Sequence, residues 1–115
     1  MSSRSDYQLL EDILEAIRRA NTYVDGMGYE EFLADLKTQD AVVRTLEIVG
    51  EATKRLSSET REHYSTVPWK NMAGARDRLI HDYFGVNFDI VWQIVRDELP
   101  AVAVEVGQIL TTMSK

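Results

Sequence analysis

The chain has 115 residues, of which 44% are hydrophobic and 28% charged, with no cysteine and a net charge of −6. That composition suits a folded chain with one core, hence a single domain over residues 1–115, and excludes disulfides, thiolate metal sites and a cysteine nucleophile. Acidity argues against a general nucleic-acid coat, short apolar runs argue against a membrane-spanning helix, and M-S-S-R-S-D-Y lacks a signal peptide's apolar core, so a cytoplasmic protein with no membrane partner is expected.

The first helix is expected from Asp6 to Val24. Leu10, Ile13, Leu14, Ile17 and Val24 hold the spacing of a core face. Ser5 or Asp6 can cap it, and Asp25-Gly26 stops it. Tyr29 to Leu36 reads as a short helix carrying Phe32, Leu33 and Leu36. A long core helix then starts near Thr38 as N-cap and ends near Ser57, with Val42, Leu46, Val49, Thr53 and Leu56 as its stripe. Gly50 interrupts that helix at a cost of up to about 1 kcal/mol relative to alanine, which suggests close approach of another helix.

Ser57 to Val67 is a polar connection with one short turn around Glu59 to His63, and His63 is expected to be solvated. Pro68 suits the first position of the next helix, which runs to Phe84 and ends on Gly85. Asn87 caps a further helix with Val91, Trp92 and Val95 facing inward, and Pro100 breaks or kinks it near Glu98 and Leu99. Ala101 to Met113 resumes the pattern with Val102, Val106, Ile109 and Leu110. No segment alternates with the period of a strand. The expected architecture is an all-α, antiparallel helical bundle of four to five main helices.

The stretch from Trp69 to Gly85 concentrates the chemistry. It holds Arg76, His81 and Tyr83 as R-x-x-x-x-H-x-Y. At about 100° per residue, Trp69, Met72, Ala73, Leu79 and Ile80 share one side, with Arg76 near its middle. Tyr83 returns to within about 20° of Arg76, whereas His81 lies about 140° away. A buried arginine needs a partner, so Arg76 is either a structural cation paired with a carboxylate or a phosphate ligand using its planar fork. His81, in the last turn before Gly85, sits where the helix dipole favours imidazolium, which suits a proton donor or a phosphate partner; the plainer reading is a hydrogen-bonded structural histidine. Because Arg76 and His81 diverge on ideal geometry, they converge only with a distorted helix end or a second subunit. Tyr83 is either core or a modifiable hydroxyl. Glu47 and Glu51 read as surface partners of Arg44 and Arg55; the sharper alternative makes Glu51 the carboxylate that neutralises Arg76. Two separated histidines give no metal-ligand spacing, and no cofactor is implied.

At R76-D-R-L-I-H-D-Y83 the chain resembles the HepT-type members of the HEPN superfamily, the small helical partners of minimal nucleotidyltransferases. The resemblance runs along most of the chain. It takes in V-x-R-x-L-E-I-V-G-E-A over Val42 to Ala52, V-P-W at Val67 to Trp69, Y-F-G-V-N-F-D-I-V-W over Tyr83 to Trp92, and D-E-L-P at Asp97 to Pro100. Asp77 stands where asparagine is frequent in the family, an acceptor in place of a donor–acceptor, and is a possible supporting residue alongside Glu51. The resemblance implies a metal-independent ribonuclease toxin, homodimeric, with Arg76 and His81 lining a cleft between two copies. It also implies a cognate nucleotidyltransferase antitoxin that silences the toxin by transferring AMP to Tyr83. The competing expectation is a non-catalytic nucleotide- or partner-binding helical module acting with that transferase.

Overall fold

The computed structural model describes residues 4–79 and 85–113. Among them every regular element is helical: α1 (Asp6–Val24), α2 (Tyr29–Ala34), α3 (Leu36–Arg55), α4 (Ser58–His63), α5 (Trp69–Ala73), α6 (Ala75–Leu79), α7 (Phe88–Gln93) and α8 (Leu99–Thr112), with a π-helical turn over Ile94–Glu98. The all-α architecture is therefore as the periodicity predicts. Its spine is α1 against α3, with α8 laid on α1 and the α5–α6 pair on α3.

The ends of α1 are where the sequence places them. Ser5 forms a capping box with Gln8, each side chain taking the other's backbone N–H at 3.1 and 3.0 Å. Gly26 supplies the left-handed turn beyond Asp25, with φ of 76°. Asp6 has a different role from capping. Its carboxylate accepts from the Ser57 N–H (3.1 Å), the Ser57 hydroxyl (2.5 Å) and the Thr60 hydroxyl (2.5 Å). The start of α1 is thus fastened to the end of α3, which makes the two helices antiparallel.

Partial burial works against the Asp6 charge, but the hydrogen bonds from Ser57 and Thr60, with Arg61 nearby, prevail and hold its pKa below the ordinary value. A depressed folded-state pKa contributes stability above the unfolded value and loses it as pH falls through the folded one. Asp6→Asn is therefore expected to cost about 1–2 kcal/mol at pH 7, since it removes the charge from several hydrogen bonds. The gap to the parent should close as pH drops below about 4, near the unfolded carboxylate value. Urea denaturation at pH 7 and pH 3 measures both.

The α2–α3 boundary departs from expectation. Asp35 rather than Thr38 caps α3, accepting the Thr38 N–H at 3.0 Å, and Leu36 opens that helix fully 73% exposed. Of the three apolar residues read into α2, only Phe32 is buried. The buried Gln39 amide decides this turn, donating to the Phe32 and Leu33 carbonyls at the end of α2 at 3.0 and 2.9 Å. Phe32 then meets Trp92 and Phe88 of the α7 region at centroid separations of 5.2 and 6.2 Å.

Gly50 behaves as expected: it lies under α5, and a Cβ built there would stand 3.4 Å from the Met72 carbonyl and 3.5 Å from that of Ala73. One methyl just fits, and a branched side chain would meet backbone that cannot retreat. Gly50→Ala should therefore be neutral or stabilising by up to about 1 kcal/mol, the helix-propensity gain. Gly50→Val should cost about 1–3 kcal/mol through overpacking. Thermal denaturation of the pair distinguishes this close approach from a propensity effect alone.

Pro100 widens the helix rather than breaking it. Its ring crowds the carbonyl four residues back and it has no N–H to return, so the chain passes through Ile94–Glu98 as a π-helical turn before α8. Val91, Ile94, Val95, Leu99, Val102, Val106 and Ile109 stay buried along this path, in one hydrophobic cluster with α1 and α3.

Candidate functional site

Trp69 and Met72 of α5 and Ala75 and Leu79 of α6 are buried, and they dock this pair of short helices against the rest of the bundle. The indole N–H of Trp69 donates to the Tyr64 carbonyl at 3.0 Å, fixing the entry to α5. The single helix expected over this stretch is divided at Gly74, whose φ of −90° and ψ of 10° depart from helical values.

That division changes the reading of Arg76. Counting Ala73 and Ile80 as core places Arg76 in the middle of an apolar stripe. The structure turns Ala75 and Leu79 inward, which puts Arg76 and Arg78 about 80° to either side of that line. Arg76 is exposed and makes no ion pair with any other described residue. The buried structural cation considered for Arg76 is thus overturned, and its guanidinium fork is left facing solvent. Asp77 beside it is exposed as well.

The paired arginine of this helix is Arg78. It donates from both terminal nitrogens to the two carboxylate oxygens of Glu98, at 2.9 and 2.8 Å, and both side chains are about one-third exposed. The hydrogen bond to Glu98 raises the Arg78 pKa, and the same contact lowers that of Glu98, against the opposing effect of partial burial on each. The pair ties α6 to the π-helical turn across 20 residues of sequence. No local spacing signals it, so sequence reasoning missed it.

Glu51 does not serve α6. It is exposed, 4.0 Å from Lys54, on the outer α1–α3 face beside Arg4, Glu47 and Arg55. Its surface reading holds, with Lys54 replacing Arg55 as partner, and Arg44 lies 3.8 Å from Glu47 as expected. His63 is exposed, edge-on to Tyr64 at 4.5 Å.

His81 and Tyr83 lie outside the described residues. Downstream, Gly85 has the left-handed φ of 84° expected of a glycine cap. The Asn87 side chain accepts from the Asp89 and Ile90 N–H groups, opening α7 as predicted. The Asn87 N–H itself donates to the Leu79 carbonyl at 2.6 Å, linking the start of α7 to the end of α6. Among the described residues no group of three or more His, Asp or Glu side chains is placed to hold a metal ion, and no helix is long and apolar enough to cross a membrane.

A helical bundle carrying an exposed arginine on a short helix, with a histidine five residues further along the sequence, defines a class, and comparison with known proteins makes it specific. Residues 13–109 match the family described as Ribonuclease HepT-like, and the chain belongs to that family. It is 46% identical over 101 residues to "Putative RNase MJ0127" of Methanocaldococcus jannaschii, an alignment covering 88% of this chain and 84% of the relative. It is 46% identical to "Putative RNase TTE0752" of Caldanaerobacter subterraneus subsp. tengcongensis, covering 88% and 90% of the two chains. It is 42% identical to "Probable ribonuclease HepT" of Thermococcus cleftensis, covering 86% and 90%. No solved structure matches the chain.

Proposed function

We propose that this protein is a metal-independent endoribonuclease toxin whose active site pairs Arg76 with His81. The observation that carries this reading is the family match, which runs through residues 13–109 and so spans the whole R-x-x-x-x-H element. The exposed Arg76 fork supports it, because a planar guanidinium can take two phosphate oxygens at once and stabilise the charge that develops there. In the proposed reaction the ribose 2′-hydroxyl attacks the adjacent phosphorus and the bond to the 5′ oxygen breaks. His81 moves the proton, as a histidine titrating near neutrality can. A homodimer completes the site, each copy supplying Arg76 and His81 to a shared cleft. Regulation is by a cognate nucleotidyltransferase antitoxin that attaches AMP to Tyr83.

The test is cleavage of single-stranded RNA by the purified protein, with and without EDTA, alongside sedimentation at micromolar concentration. Cleavage that persists in EDTA and a dimeric mass are expected. An intact RNA substrate at every protein concentration overturns the reading, in favour of a non-catalytic module that binds nucleotide or the transferase. A monomer that cleaves overturns the dimeric site alone.

A further inference from the structure

The helix that carries Arg76 is five residues long. A helix that short has almost no stability of its own in water, so its placement is set by what holds it. The holds on α6 are few. Ala75 and Leu79 point inward, the Leu79 carbonyl accepts the Asn87 N–H, and Arg78 donates to both oxygens of Glu98. Packing beneath the helix is incomplete: a void of about 20 Å³ remains there, lined by Leu46, Val49, Met72, Ala75 and Val102. Arg78 and Glu98 border the same void, so the ion pair closes a gap that apolar side chains leave. Glu98 is the anchored member, because it belongs to the π-helical turn before Pro100, whose Ile94 and Val95 are buried and which Leu99 follows into the core.

We propose that Arg78 and Glu98 are positioning residues for RNA cleavage: their bidentate pair fixes the roll of α6 about its own axis, and with it the direction in which Arg76 presents its guanidinium. The inference rests on the ribonuclease reading and adds to it the device that aims its arginine. Arg76 and Arg78 stand about 160° apart around α6 on helical spacing, so a roll that withdraws Arg78 from Glu98 swings Arg76 through the same angle. The ties at Leu79 lie at the C-terminal end of the helix and serve as a pivot, and the Ala75 methyl beside a void resists little. Arg76 itself makes no ion pair with any other described residue, so no counter-ion at its own position sets its direction. Stabilising charge on phosphate oxygens requires donors already aimed at them, and a misplacement of about 1 Å can cost about 10²-fold in rate. The pair touches no substrate. It acts on cleavage only through the local fold of α6.

Glu98→Gln tests this, since it removes the charge and one of the two acceptor oxygens at nearly unchanged shape. Arg78 is about one-third exposed and is then solvated, so the bundle stays folded. Cleavage of a short single-stranded RNA is expected to fall about 10- to 100-fold in kcat with KM unchanged, because the interaction lost is one made in the transition state. In protein already carrying Arg76→Ala, the same substitution should slow cleavage no further, whereas a general loss of fold would multiply the two effects. Amide hydrogen exchange gives a readout independent of activity. Ala75–Leu79 should exchange several-fold faster in Glu98→Gln, with α1 and α3 as protected as in the parent. If the parent cuts RNA and Glu98→Gln keeps its kcat, the inference is overturned and the ribonuclease reading stands. Equal slowing in the Arg76→Ala background, or unchanged exchange over α6, overturns it in the same way. A parent protein that cuts no RNA removes the ribonuclease reading, and the positioning role with it.

Discussion

Replacing Arg76 or His81 by alanine is expected to lower RNA cleavage by about 10²- to 10⁴-fold, the usual contribution of a positioned acid–base or charge-stabilising group. The two losses should not add when combined, because groups that act on one transition state fail together. The Arg76 side chain is exposed, so its removal should change stability by no more than about 0.5 kcal/mol. This separates it from its neighbour. Arg78→Ala breaks a bidentate pair with Glu98 and acts on the fold, whereas Arg76→Ala leaves the fold and acts on cleavage. Arg76→Lys should restore only part of the activity, since lysine keeps the charge but not the fork. Initial-rate measurements with circular dichroism on the same samples decide the matter. If both alanine variants cut RNA as fast as the parent, neither residue is part of the chemistry.

Attachment of AMP to Tyr83 is expected to abolish cleavage without changing the fold. Tyr83 lies two residues from His81 and seven from Arg76 along the chain. A phosphodiester on its hydroxyl would place a negative charge beside the arginine, and the adenosine would occupy the space that RNA needs. Incubation with the cognate nucleotidyltransferase, ATP and magnesium should add one or more AMP units to Tyr83, and Tyr83→Phe should escape both modification and inhibition. Intact-mass and peptide mass spectrometry, read beside the cleavage rate, give the answer. AMP found only at other residues, or full activity after stoichiometric modification of Tyr83, removes this tyrosine from the regulation.

What the sequence determined by itself is local. The Ser5 cap and the span of α1, the core stripe of α3, the Asn87 cap and the left-handed Gly85 follow from side-chain chemistry acting within a few residues. Gly50 was legible for a related reason: a costly glycine inside a strong helix implies a neighbour pressed against it, and Met72 and Ala73 are that neighbour. The R-x-x-x-x-H-x-Y element was legible as a pattern, and it led to the family.

Only the tertiary structure decided which arginine is paired. On one continuous helix Arg76 falls in the apolar stripe. Gly74 interrupts that helix, Ala75 turns inward, and the arginine in the half-buried pair becomes Arg78, held by a carboxylate 20 residues away. Asp6 shows the same limit, since its acceptors could cap a helix locally but are taken by Ser57 and Thr60 across the bundle. Likewise Asp35 displaced Thr38 as the cap of α3, where Gln39 closes the end of α2. In each case the periodicity of one segment sets which residues can face inward. The partner that fixes their final role comes from another segment, and no spacing along the chain encodes it.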